Sequence, residues 1–197
     1  MDGSELRFLH QLARLYGVET AYYDVEGEIQ HASPEVLLLV LRTLGAPAER
    51  LSDARAALRE RRRALWSQPL EPVAVARQDL PLQLKLRAAS HLAGGTVPCR
   101  LHLEGGETRA WTCNLEQLQI LKATEIEGIR YISKELVIPG ALPLGYHRLS
   151  IELGGKLVEA MIISAPVRAY SDADALPGKV WGAFMPIYAL HSQRSFG

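Results

Sequence analysis

Six histidines and two cysteines are the side chains of this chain that could bind a metal ion. The histidines stand at positions 10, 31, 91, 102, 147 and 191, and the cysteines at positions 99 and 113. None of these spacings matches the paired ligands of a zinc site. Cys99 and His102 share a strand-like run on which their side chains face opposite ways. We therefore predict no metal site and no cofactor.

Phosphate binding and acyl transfer also lack their usual motifs. Neither Gly-Gly pair leads into the Gly-Lys-Ser/Thr of a phosphate loop, and no Gly-x-Ser-x-Gly elbow occurs. Asp172 and Asp174 fall in a linker-like stretch. Glu125 and Glu127 fit a solvated loop or strand face better than an acid and base pair. We predict no catalytic residue in this chain.

Aromatic and arginine side chains are the remaining binding candidates. Trp66 and Trp111 could stack on sugar rings, but packing in a core or an interface is the favoured interpretation. Arginines cluster between positions 59 and 63, where Glu60 interrupts the run, and this favours a solvated helix face over an RNA contact. With 22 basic and 22 acidic residues, the chain has no net charge to attract nucleic acid or an anionic membrane.

The distribution of apolar residues and cysteines predicts a cytoplasmic protein without a membrane partner. No apolar run approaches the roughly 18 to 20 residues that cross a bilayer, and the start lacks a basic region followed by an apolar one. Two cysteines are too few for a disulfide framework. Cys99 and Cys113 lie in strands of one predicted hairpin and could pair, but free, half-buried thiols are favoured.

The first 67 residues predict a subdomain of three helices. Leucines at 6, 9 and 12 recur at helical spacing before Gly17, and a third helix follows from Leu51 to Trp66. Between them, Ser33 and Pro34 form an N-cap and a first helical position. The helix after Pro34 is apolar nearly all round, so we expect it to be the buried centre of the layer.

From residue 73 to residue 166 the pattern changes to the alternation of strands. Prolines at 69 and 72 mark the junction. Alternating runs begin at Leu82 and Val97, and Gly-Gly pairs at 105–106 and 154–155 predict hairpins because their turns need positive φ. Further strands are predicted at 109–113, 115–121, 130–137, 146–153 and 157–163. Seven or eight short antiparallel strands indicate an immunoglobulin-like β-sandwich.

Two neighbouring residues refine that prediction. Tyr146 follows a turn with proline and glycine, so we expect its ring to cap the core as a tyrosine corner. His147 alternates with Leu149 and Ile151, which predicts a hydrogen-bonded histidine near the core.

The sequence from residue 167 onward lacks the strand alternation of the preceding segment. Residues 167–179 contain small residues, Asp and Pro without periodicity and are interpreted as a linker. The segment from Val180 to Leu190 is apolar on both faces, a habit of parallel strands that are covered on both sides. We therefore expect residues 180–197 to begin a larger fold that the chain does not contain.

Several short motifs, in order, carry a family resemblance. They are Tyr22-Tyr-Asp24, Ser33-Pro-Glu35, Leu142-Pro-Leu-Gly-Tyr-His147, Trp181-Gly182, Tyr188-Ala-Leu190 and Ser192-Gln-Arg-Ser-Phe-Gly197. Together they resemble the amino-terminal extension and the first barrel strand of bacterial 4-α-glucanotransferases, the amylomaltases of glycoside hydrolase family 77. One departure is that Phe196 stands where that family usually has Trp.

The resemblance implies an α+β fold whose tail is the first strand of a missing (β/α)8 barrel. It places the catalytic carboxylates on later barrel strands, so this chain alone is expected to be inactive. Phe196, with Arg194 and Ser195 as loop supports, would lie beside the donor sugar sites. The implied partners are an α-1,4-glucan or maltooligosaccharide and the absent barrel.

A second hypothesis remains open. The chain would then be an independent module that binds carbohydrate or another protein, and its exposed C-terminal strand could form a homodimer.

Overall fold

The three helices precede the eight strands of the sandwich along the chain, as the change of hydrophobic period predicts. The computed structural model describes residues 3–77, 80–168 and 182–186. Residues up to Ala165 form one compact unit, and the residues from Pro166 form a second. The predicted linker and barrel strand lie mostly outside the described residues.

Three helices and a small hairpin occupy the first 67 residues. The helices are α1 (Gly3–Leu15), α2 (Pro34–Thr43) and α3 (Ala54–Ser67). An antiparallel hairpin of β1 (Ala21–Tyr23) and β2 (Ile29–His31) lies between α1 and α2, and we did not predict it. The helices share a core of leucines and alanines that includes Leu9, Leu12, Leu37, Leu41, Ala54, Ala57 and Leu58.

The position of α2 differs from our expectation. Its start is as predicted, because Ser33 Oγ accepts the N–H of Val36 at 3.4 Å and Pro34 occupies the first turn. Only one side of α2 is covered, however. Leu37 and Leu41 are buried, whereas Val36 and Leu39 are 52% and 55% exposed. The prediction that α2 is the buried centre is wrong, because α1 and α3 pack directly on each other and α2 lies at one side.

Eight strands build the sandwich. They are β3 (Val73–Arg77), β4 (Gln83–Ala89), β5 (Thr96–His102), β6 (Thr108–Asn114), β7 (Ile120–Ile126), β8 (Ile129–Val137), β9 (Gly145–Leu153) and β10 (Lys156–Ala165). One sheet has the order β3-β10-β9-β5-β6 and the other has the order β4-β8-β7. The α+β fold class with a β-sandwich is confirmed. The pair of β3 with β10 is parallel, while the other pairs of the sandwich are antiparallel.

The two Gly-Gly hairpins form as predicted. Gly154 and Gly155 connect β9 to β10 with φ values of 57° and 74°, a pair of positive angles that suits a two-residue turn. Gly106, with a φ of 91°, lies in the loop between β5 and β6. Inward side chains of both sheets then form one core, including Leu84, Leu86, Leu101, Leu115, Leu136, Leu149, Ile151 and Ile162.

Two local predictions are wrong. The strand expected at 115–121 begins only at Ile120, because Asn114 Oδ1 accepts the N–H of Glu116 and starts a 3-10 turn at Leu115–Gln117. Tyr146 is not a tyrosine corner, since its side chain is 61% exposed. Leu149 and Ile151 face the core, so the period of two along β9 places Tyr146 on the outer face.

Candidate functional site

The three residues expected beside a donor sugar lie outside the described part of the chain. They are Arg194, Ser195 and Phe196, and their role stays a prediction. Of the segment 180–197, the structure describes residues 182–186, in which Phe184 is 91% exposed.

Trp66 joins the helical layer to the sandwich. It lies in the last turn of α3, and its ring centroid is 6.4 Å from that of Tyr131 in β8, with the planes inclined at 53°. This is a tilted aromatic pair of the kind that stabilises interfaces inside proteins. The half-buried indole is therefore engaged in packing, and its contact with glucan stays a prediction.

Trp111 packs in a different place. It lies opposite Cys99 in the pairing of β5 with β6 and rests partly buried against the sandwich core. Trp66 contacts the three-stranded sheet, while Trp111 belongs to the five-stranded one. The structure thus explains each indole by packing on a separate sheet, and a sugar contact at Trp111 also stays a prediction.

Cys99 and Cys113 are free, as predicted, and both are buried where we expected half-buried thiols. Burial, and then the neighbouring Cys113 thiol, raises the pKa of Cys99 to about 11. Burial also raises the pKa of Cys113. Because the thiolate is the reactive form, neither side chain is suited to nucleophilic catalysis at neutral pH.

His147 is fixed by two backbone partners. Its Nδ1 accepts the N–H of Glu104 at 3.2 Å, which leaves the proton on Nε2 to be donated to the carbonyl of Pro143 at 2.8 Å. The side chain is 3% exposed. The predicted role of a hydrogen-bonded histidine near the core is confirmed, and both ring nitrogens are already used.

Lys134 is a buried cation that our sequence analysis missed. Its side chain faces the sandwich core, and Nζ donates to the carbonyls of Ala93 at 2.8 Å and Leu115 at 2.6 Å. Both carbonyls belong to 3-10 turns or their caps. The signal was available, since Lys134 alternates with Ile132 and Leu136 on the inward side of a strand. Its geometry indicates a structural tie.

A cavity of about 250 Å³ opens between β3 and β4, at the edges of the two sheets. Apolar side chains including Leu70, Val73 and Leu84 line it. Arg87 adds a guanidinium whose Nη2 donates to Glu71 Oε1 at 2.5 Å, while Nη1 is buried without a protein partner. Arg87 and Glu71 thus place an ion pair at the rim of a mainly apolar cavity.

Acidic side chains do not converge within the described residues. The buried polar side chains of the described residues are Ser133, Lys134, His147, Ser150 and Ser164, and this set contains no Asp or Glu. In that part of the chain, no group of three His, Cys, Asp or Glu side chains could hold a metal ion. No helix formed by the described residues has the length and apolar character needed to span a membrane.

Comparisons with known proteins point to one family. Residues 69–166 match the family model of the MalQ N-terminal beta sandwich domain. The chain is 31% identical over 198 residues to proteins named 4-alpha-glucanotransferase from Mycobacterium bovis and Mycobacterium tuberculosis. These alignments cover 96% of this chain and 25% of the relatives, so the chain spans about a quarter of their length.

A solved structure supports the same relationship. The crystal structure of amylomaltase from Corynebacterium glutamicum matches with a TM-score of 0.66 and 28% sequence identity. The match covers 83% of this chain and 23% of that one. The family resemblance inferred from the motifs is thereby confirmed: residues 69–166 belong to the MalQ N-terminal beta sandwich family, and the chain as a whole is similar to the amino-terminal region of 4-α-glucanotransferases.

Proposed function

We propose that this chain is the non-catalytic amino-terminal part of an enzyme that transfers α-1,4-glucan segments between maltooligosaccharides. The observation that carries the proposal is the alignment over 96% of the chain with proteins four times its length that are named 4-alpha-glucanotransferase. In that enzyme, the part described here would pack against the catalytic barrel and shape the approach of glucan. Residues 1–67 and 73–166 would act as scaffold, 167–179 as linker and 180–197 as the first part of the barrel.

A cytoplasmic location is part of this proposal. Maltooligosaccharide metabolism supplies neutral substrates, and the chain has equal numbers of acidic and basic residues. The two free thiols fit a reducing compartment, where cysteines stay unpaired.

Catalysis gives the first test. Retaining glucan transfer needs two carboxylates that flank the scissile bond at roughly 5 Å. In this family they come from barrel strands beyond this chain, so maltotriose incubated with the chain should release no glucose. Measurable disproportionation by purified protein would overturn the proposal. Sequencing the intact transcript provides the matching genetic test, since a downstream reading frame should supply the barrel and its carboxylates.

Direct measurement of sugar binding is the second test. It distinguishes a scaffold role from that of an independent carbohydrate-binding module. Because both described tryptophans are engaged in packing, we expect calorimetric titration with maltoheptaose to show a dissociation constant weaker than about 1 mM. Tighter binding would favour a genuine sugar module. In that case, Trp66→Ala and Trp111→Ala variants would show whether either indole carries the contact.

A further inference from the structure

The outward face of α2 is an apolar stripe that no part of the described chain covers. Val36, Leu39 and Val40 are 52%, 55% and 36% exposed, and they project from the side opposite buried Leu37 and Leu41. Thr43 continues the stripe, and its hydroxyl already donates to the Leu39 carbonyl at 2.9 Å. The positions repeat at helical spacing, so the four side chains form one continuous surface.

Such a helix is expected to be covered on both sides. An ordinary surface helix carries polar residues on its solvent side, whereas a helix that is apolar all round is typical of a buried position. The sequence of α2 is close to the second description, because Glu35 and Arg42 are its only charged residues, but the structure buries only one side. The stripe therefore has the character of an interface.

The charges beside the stripe indicate what covers it. Glu35 and Arg42 are both exposed and project from the same flank of α2, one at its start and one near its end. The pKa of Glu35 is lowered by its own backbone N–H and by the Ser33 hydroxyl, so the carboxylate is charged at neutral pH. One helix thus presents a negative and a positive charge on one edge of an apolar stripe.

A second copy of α2 in antiparallel orientation complements this pattern. The two helices are related by a two-fold axis perpendicular to both helix axes and to the line that joins them. This rotation makes the helices antiparallel and leaves their two charged flanks on the same side of the pair. Leu39 then faces Val40 of the second copy, Val36 faces Thr43 of the second copy, and each Glu35 lies near the opposite Arg42. In a parallel pair the charged flanks would lie on opposite sides and would not meet.

We propose that α2 is a self-association surface on which two copies of this chain pair through an antiparallel helix contact. This goes beyond the scaffold role proposed above and does not depend on it. Two facing ten-residue helices bury less than the roughly 800 Å² per partner of a standard interface, so we expect the dimer to be weak.

Sedimentation equilibrium of the 197-residue chain between about 5 and 500 μM tests the proposal. We expect a monomer–dimer equilibrium that Leu39→Glu weakens at least about tenfold. The matched control is Leu157→Glu, which places the same charge at a leucine 68% exposed on β10, and it should leave the equilibrium unchanged. Circular dichroism confirms that each variant is folded.

A charge exchange then tests the orientation. Glu35→Arg and Arg42→Glu should each weaken the dimer, and the double variant should restore it, because the exchanged charges again meet with opposite sign. A chain that stays monomeric over the whole range overturns the proposal and leaves another polypeptide to cover α2. Equal effects of Leu39→Glu and Leu157→Glu on the dimer also overturn the proposal. A further variant, Ile187→Asp, changes the apolar segment from Val180 to Leu190. If only this variant weakens the dimer, α2 is not the contact surface.

Discussion

His147 and Glu104 show how a single buried side chain holds two loops of the sandwich. The imidazole connects the backbone before β9, through the Pro143 carbonyl, to the backbone after β5, through the Glu104 N–H. Both backbone groups would lose this partner if the imidazole were removed. Glu104 is a second connection, because its Oε2 accepts the N–H of Tyr146 at 3.2 Å. The histidine is therefore a structural residue of the strand entrance.

Replacing His147 with Phe keeps an aromatic ring of similar shape but leaves both backbone groups without a partner. We expect His147→Phe to lower the free energy of unfolding by about 1–3 kcal/mol, measured by urea denaturation. His102→Phe is the matched control, because His102 is exposed on the same sheet and bonds to the Thr108 side chain, and its effect should stay within about 0.5 kcal/mol. Equal losses in the two variants would contradict this role.

The sequence predicts the position of His147 better than that of its neighbours. Alternation with Leu149 and Ile151 identifies the inward side of β9, and the same alternation should have placed Tyr146 outside. The prediction for Tyr146 failed because we preferred the analogy with a tyrosine corner to the inward and outward alternation of side chains along the strand. The buried position of Lys134 was not predicted, although the alternation along β8 indicated it. A lysine at an inward position is unusual, and its carbonyl partners come from turns that are distant in sequence.

Elements with a strong local signal were predictable, and weak ones were not. The Gly-Gly pairs identify two hairpins because Gly106, Gly154 and Gly155 adopt positive φ angles that favour glycine. The hairpin of β1 and β2 depends on Asp24, whose Oδ1 accepts the N–H groups of Glu26 and Glu28, and its three-residue strands show no period. The nearly all-round apolar character of α2 predicts burial but does not indicate which side the chain itself covers.

The β9–β10 turn allows a clean test of the role of glycine. A Cβ at Gly155 would meet no atom within 4 Å, so the cost of an added methyl group comes from its φ of +74° alone. We expect Gly155→Ala to destabilise the fold by about 1 kcal/mol in thermal unfolding. Gly105 in the other hairpin also has an open surrounding and no positive φ, so Gly105→Ala should be nearly neutral. Similar effects at both positions would mean that the turn conformation does not limit stability.

At the scale of the whole molecule, the helical layer and the sandwich belong to one compact unit that ends at Ala165. The contact between them includes the rings of Trp66 and Tyr131 and an ion pair of Arg63 with Glu127 at 3.7 Å. The ion pair is exposed on both sides and contributes little. The aromatic contact is therefore the stronger of these two links, and sequence alone could not reveal it because its two rings lie far apart along the chain.

This link should make the helices and the sandwich unfold together. With Trp181→Phe as the background, far-UV circular dichroism and tryptophan fluorescence should give coincident denaturation curves. Adding Trp66→Ala removes the contact, so we expect a loss of about 2 kcal/mol and an earlier loss of helical signal. Leu101→Ala is the control, because it weakens the sandwich core without touching α3, keeps the Trp111 fluorophore and should leave the two curves coincident. Separate transitions before Trp66 is changed would mean that the two layers are stable independently, and the aromatic pair would then be a contact without coupling.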